Sequence, residues 1–227
     1  IRLCYFYSFP SDFHTQLQDS IRIRYALGAK KACEEAYGRS NSYIGCLQIL
    51  GEIYNKQKNS ESAIAIFKEL LSLTQPDTPS YNYYLYELGR AYLYGKNYKE
   101  STYLLEKSCQ TLKQSPESDS LDVVHILEAL SIAYYKHKQY EKAYSATIEI
   151  LDYWCSRNKW ECLKFIEQLA QTYHAMGNVN MAQTTYENLL SLNMQIVPKD
   201  DTTYNNRLKA LGILHKEKGE FDIAISK

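Results

Sequence analysis

The chain has 227 residues, with 26 Lys and Arg against 26 Asp and Glu, so its formal net charge is zero. That balance excludes the overall basic field of a duplex-binding protein or a polybasic membrane binder. Nine glycines and five prolines are about half the average share while tyrosine reaches 22, which excludes collagenous and disordered chains and points to a helix-rich, aromatic-packed one.

Residues 1–9 are apolar but contain Arg2 and lack the charged, apolar, small-residue order of a signal peptide, and no apolar run is long enough to span a bilayer. The chain starts at Ile1 rather than Met and stops at Lys227 inside a predicted helix, so it reads as a piece of a longer protein. Cys4, Cys33, Cys46, Cys109, Cys155 and Cys162 stand at unrelated intervals. In a chain this large, that argues for reduced thiols rather than a disulfide framework, and hence for an intracellular, cytoplasmic location.

Residues 1–40 are expected to form an N-terminal capping helix or a degenerate repeat, in which Phe13, Leu17, Ala29, Cys33 and Ala36 fall at the offsets of the later copies. From residue 41 onward one pattern recurs five times. Residues 47–63 (LQILGEIYNKQKNSESA), 85–101 (LYELGRAYLYGKNYKES), 127–143 (LEALSIAYYKHKQYEKA), 166–182 (IEQLAQTYHAMGNVNMA) and 208–224 (LKALGILHKEKGEFDIA) align without a gap. The repeats divide the chain at about 41–79, 80–118, 119–158, 159–199 and 200–227, the last one truncated. Each copy has a small residue (Gly51, Gly89, Ser131, Ala170, Gly212) and a second one twelve later (Ala63, Ser101, Ala143, Ala182, Ala224).

An apolar stripe at i, i+3 and i+7, such as Leu47, Leu50 and Tyr54, predicts a first helix A in each copy. The polar stretches 96–100 and 138–142 are expected to turn the chain, and a second stripe, such as Ala63, Ile66, Phe67 and Leu70, predicts a helix B packed closely on A through the small residues. Pro76, Pro79, Pro116 and Pro198 fall between repeats and Pro10 before them, where proline ends helices rather than interrupting them.

These residues resemble the tetratricopeptide repeat family, whose signature is W/L-x2-L-G-x2-Y, then A-x3-F-x2-A, then P. The resemblance spans residues 43–227 and implies an all-α, right-handed α-solenoid of tandem antiparallel helix pairs, a TPR-like superhelix. The small residues lie 38, 42, 39 and 42 apart rather than the usual spacing of about 34, which is similar to the long-repeat members such as kinesin light chain and the Leu-Gly-Asn adaptors. Thr147 replaces the aromatic of helix B and His215 the tyrosine of helix A, so looser packing is expected at both.

The resemblance also implies a concave groove lined by helix A positions. In the first copy these include Gln48, Glu52 and Asn55, and in the second Tyr83, Tyr86, Arg90 and Tyr94. The third contributes His125, Glu128 and Tyr135, the fourth Lys164, Glu167, Gln171 and His174, and the fifth Asn206 and Lys209. Amides there could hydrogen-bond an extended peptide and the tyrosines supply rigid contact area, while some of the tyrosines could equally be packing between repeats. Arg90 and Tyr86 are expected to be dispensable for folding. No copy carries the Lys and Asn pair by which the chaperone-adaptor subgroup clamps a C-terminal carboxylate.

Chemistry finds little support. There is no CxxC, HExxH, GxSxG, P-loop or GxGxxG, and the five histidines are dispersed. Cys155 and Cys162 stand seven apart across the stretch SRNK, which reads as partly buried structural thiols rather than a zinc site. No catalysis, metal or cofactor is therefore expected. The expected role is a protein-interaction scaffold or adaptor with a protein or peptide partner, not nucleic acid or a membrane, within a larger chain or complex. The alternatives are a ligand-sensing regulatory segment of a larger enzyme, or a structural subunit of an assembly such as a ciliary or cell-division complex.

Overall fold

The computed structural model describes residues 12–76, 78–114, 120–196 and 202–220. Among them are ten α-helices and no strand: α1 (Asp12–Tyr37), α2 (Asn41–Lys56), α3 (Ser60–Leu73), α4 (Pro79–Tyr94), α5 (Tyr98–Gln114), α6 (Ser120–Lys136), α7 (Tyr140–Trp154), α8 (Lys159–Ala175), α9 (Val179–Ile196) and α10 (Thr202–Glu217). The chain divides into two compact units, Ile1–Ser118 with α1 to α5 and Asp119–Lys227 with α6 to α10. Within each unit every helix packs on the next, the pairwise stacking of an all-α helical-repeat solenoid. No helix among the described residues is long and apolar enough to cross a membrane.

The A-to-B corners repeat one hydrogen-bond pattern. Lys58 N donates to Asn55 O and Asn59 N to Tyr54 O, and the same two bonds recur at Lys96 and Asn97, Lys138 and Gln139, Gly177 and Asn178, and Gly219 and Glu220. This paired closure satisfies the last helical carbonyls and requires a left-handed residue. Lys58, Lys96 and Lys138 adopt it at φ 56°, 60° and 60°, and Gly177 and Gly219 at 78° and 79°. The next residue then caps helix B: the Asn59 side chain accepts from Ser62 N, Asn97 from Glu100 N and Asn178 from Met181 N. At α4 the cap is Thr78, which accepts from Tyr81 N, with Pro79 in the first helical position. The stretches 96–100 and 138–142 are consequently turns only in their first two residues. Tyr98 and Tyr140 already begin α5 and α7, because the corner closes within three residues.

The small residues sit where helices A and B meet. A Cβ on Gly51 would lie 2.6 Å from Phe67 Cζ, and one on Gly89 would lie 2.7 Å from Leu105 Cγ. Phe67 and Leu105 are fully buried and have no room to retreat. Ala63, Ser101, Ala143 and Ala182 are fully buried as well, and the Ser101 hydroxyl donates to Gly89 O at 2.9 Å. Ala224 lies outside the described residues. Around these crossings the first unit packs Tyr43, Leu47, Phe67, Leu70, Tyr84, Leu85 and Leu88, and the second Leu163, Tyr186, Leu189, Leu190, Leu211 and Leu214.

Three expectations change here. The looseness expected at Thr147 and His215 is absent: Thr147 is fully buried and donates to Ala143 O at 2.7 Å, and His215 is buried with Nδ1 2.6 Å from Glu220 Oε2. Polar groups fill these slots because each finds a partner within its own helix or the following corner. The expectation of reduced thiols fails at one pair, since Cys155 and Cys162 form a disulfide with Cα atoms 4.8 Å apart. Seven residues would separate them by two turns on a continuous helix, but α7 stops at Trp154 and α8 starts at Lys159, folding Cys162 back over Cys155.

Candidate functional site

Helix periodicity puts Tyr83, Glu87, Arg90 and Tyr94 of α4 on one stripe beside Tyr86, and α4 packs on α2 as well as on α3 and α5. The α2 side chains meet that stripe. Tyr83 donates its hydroxyl to Glu52 Oε1 at 2.9 Å, Gln48 Nε2 donates to the same oxygen at 2.9 Å, and Tyr84 donates to Gln48 Oε1 at 3.2 Å. One turn further along, Asn55 Nδ2 donates to Glu87 Oε2 at 2.6 Å and to Glu87 O at 2.9 Å. Arg90 donates to the other Glu87 oxygen at 2.8 Å and to the Tyr94 hydroxyl at 3.1 Å. Its guanidinium lies 5.5 Å from the centre of the Tyr86 ring and 5.9 Å from that of Tyr94, within cation–π range.

Electrostatics follow burial. Burial, then the Glu87 and Glu52 carboxylates, push the Tyr83 hydroxyl well above its ordinary value, and burial with Glu52 raises Tyr84. Burial alone would lower the Arg90 guanidinium, but Glu87 and the two tyrosines more than offset it, so Arg90 stays charged. Glu87 is only 5% exposed in its side chain while Arg90 is 29% exposed. Arg90 thus both presents charge at the surface and neutralises a buried carboxylate, so it is not the dispensable residue the sequence suggests. Asn55 is buried and its amide is committed to Glu87.

In the second unit the groove positions form smaller groups. Glu128 accepts from Trp154 Nε1 at 2.9 Å and lies 3.9 Å from Lys164 Nζ. Glu167 accepts from Arg207 Nε at 2.8 Å, and Arg207 also donates to the buried Asn193 side chain at 2.9 Å. Gln171 hydrogen-bonds Tyr186, whose hydroxyl is pushed up to about 12 by burial first and Glu167 second. His174 Nε2 sits 2.9 Å from Glu217 Oε2. Tyr135, half-buried against the Tyr140 ring at 5.7 Å, is raised by burial and by Tyr140. His125, Asn206 and Lys209 are exposed.

The structure therefore gathers Gln48, Glu52 and Tyr83 into one group and Asn55, Tyr86, Arg90 and Tyr94 into a second around Glu87 beside it, and joins Glu128 to Lys164, Glu167 to Arg207 and His174 to Glu217. Sequence reasoning missed Glu87, Tyr84, Trp154, Asn193 and Arg207. Glu87 carries a legible signal, since it is a carboxylate three residues before Arg90 on the same helix stripe. No group of three or more His, Cys, Asp and Glu suited to a metal ion occurs among the described residues.

Residues 44–77 match a family model described as tetratricopeptide repeat, and residues 166–196 match a second model of the same description. Comparison with curated protein sequences gives no match. Among solved structures, the kinesin-light-chain-type, nearly identical TPR-like repeats of Podosopora anserina superpose with a TM-score of 0.69 at 17% identity, over 81% of this chain and 90% of that one. BtubC (BKLC) from P. vanneervenii gives 0.70 at 15% identity over 93% and 87%. MamA from MSR-1 gives 0.59 at 15% identity over 81% and 91%. At these identities the likeness is one of fold.

Proposed function

We propose that this chain, which carries tetratricopeptide repeats, is a non-catalytic protein-interaction scaffold that holds an extended peptide or elongated partner against its A helices. The observation carrying this reading is the Tyr86, Arg90 and Tyr94 group on α4. A charged guanidinium is held at the surface by a buried carboxylate, which is itself fixed by Asn55. Such a preorganised cation and its two rings lose little rotamer freedom on contact, and Arg and Tyr are the residue types that dominate binding energy. The Glu52, Gln48 and Tyr83 chain beside it offers hydrogen-bonding groups for a peptide backbone.

The test is a random-peptide display library selected on the wild type, with the selected peptides then measured on a Tyr86→Ala/Tyr94→Phe variant. Arg90→Glu is unsuitable because it would face Glu87 with a second carboxylate. A loss of about tenfold or more in affinity, roughly 1.4 kcal/mol, with an unchanged helical circular dichroism melt supports the reading. Equal affinity for both proteins overturns it.

A further inference from the structure

We infer that Cys155 and Cys162 form a reversible redox clasp that holds Trp154 and Lys164 against Glu128. The inference is independent of where a partner binds. The disulfide ties the C-cap of α7 to the first turn of α8. Each tied arm carries one of the groups that meet Glu128 of α6. Trp154, immediately before Cys155, donates to Glu128 Oε1 at 2.9 Å, and Lys164, two residues after Cys162, approaches Glu128 Oε2 at 3.9 Å. The covalent bond and the Glu128 contacts therefore close one ring across three helices, and opening the bond relaxes both arms.

Reversibility rests on access. Cys155 is exposed and Cys162 is buried, so an incoming thiolate reaches one sulfur in preference to the other, and exchange rates depend on which sulfur is attacked. The loop enclosed is short, with a sequence separation of seven, so the bond constrains the unfolded chain less than one closing a long loop would.

The exchange balances with a small-molecule monothiol as reductant. Its thiolate attacks Cys155 Sγ, the S–S bond breaks, and Cys162 leaves as a thiolate in the first turn of α8, where the positive helix end favours it. A second thiolate attacks the monothiol's sulfur in the mixed disulfide and releases Cys155. Two thiols become one disulfide, and the protein takes up two electrons and two protons.

Of the two tryptophans of the chain, Trp154 directly precedes Cys155 and Trp160 lies within the loop the bond closes, so both report on it. The experiment equilibrates the protein in glutathione buffers of graded reduced-to-oxidised ratio, reading tryptophan emission, maleimide-labelled thiols and helical circular dichroism together. Expected are two additional labelled thiols on reduction, an emission change with the same midpoint, unchanged helicity, and recovery on reoxidation. Cys155→Ser and Cys162→Ala, each made separately, should show no such step. A bond that opens only when helicity is lost would make it a permanent staple and overturn the inference. So would failure of the bond to form in oxidised glutathione, or a labelling step without any emission change, which would break the link to Trp154.

Discussion

In the first unit the small slots of helix A are Gly51 and Gly89, pressed against Phe67 and Leu105; in the second, besides Gly212, they are Ser131 and Ala170, with Thr147 and Tyr186 sixteen residues on. Ser131 and Thr147 are both fully buried, so at that crossing a shorter B-helix side chain goes with a Cβ on the A helix, while Ala170 keeps its Cβ with Tyr186 at the matching position. The need for glycine at 51 and 89 is set by the side chain pressed against each one and not by the repeat position alone. The polar pairs differ in a parallel way. The first unit buries the carboxylate, Glu87 at 5% exposure, under a partly exposed Arg90; the second buries the guanidinium, Arg207 at 8%, under a partly exposed Glu167. A register that picks outward positions finds Arg90 and Glu167 and misses the inward partner each one serves.

The largest effect should come from removing the outer member of either pair, because the buried charge then loses its counter-ion. Arg90→Ala and Glu167→Ala should each cost about 3 kcal/mol by urea unfolding. Glu217→Ala, which breaks a half-exposed contact with His174, should cost under about 0.5 kcal/mol. Equal costs for the three would show that burial does not separate the pairs.

Next in size is the helix crossing. Gly51→Ala should destabilise by about 1–3 kcal/mol, since the new methyl overlaps the Phe67 ring. Phe67→Val in the same chain, close in shape to the threonine at the matching position 147, should recover part of that loss. Ser131→Ala, in the second unit, should change stability by less than about 1 kcal/mol. A double variant no better than the sum of its single losses would remove the idea that the two slots are chosen jointly.

The smallest effect is at alkaline pH. Tyr186, raised to about 12 from 10, keeps its proton in the folded protein after the unfolded chain has lost it. The stabilisation is therefore complete below pH 10 and lost as pH climbs toward 12. Tyr186→Phe should make the fall in the urea midpoint shallower across that window, and Tyr83→Phe should do the same in the first unit, where burial and two carboxylates raise the hydroxyl. Identical pH profiles for the wild type and both variants would contradict the assigned shifts.

Much of this fold was legible because helices A and B are local objects. The stripe of Leu47, Leu50 and Tyr54, the glycine at 51 and the alanine at 63 recur at fixed offsets, so one copy explains the others. Corners closed by Lys58 or Gly177 followed by asparagine belong to the same short-range grammar. The site was legible only in part. Tyr83, Tyr86, Arg90 and Tyr94 fell on the stripe expected to face outward, while Asn55, placed on that stripe too, turned inward to Glu87.

The sequence by itself determined helix class and the close crossings at Gly51 and Gly89, because periodicity and side-chain size act within about forty residues. Tertiary structure decided which charges are buried, that Cys155 meets Cys162, and that Trp154 and Lys164 converge on Glu128. Those outcomes depend on how one helix lies across another, where a shift of a single residue exchanges an exposed group for a buried one.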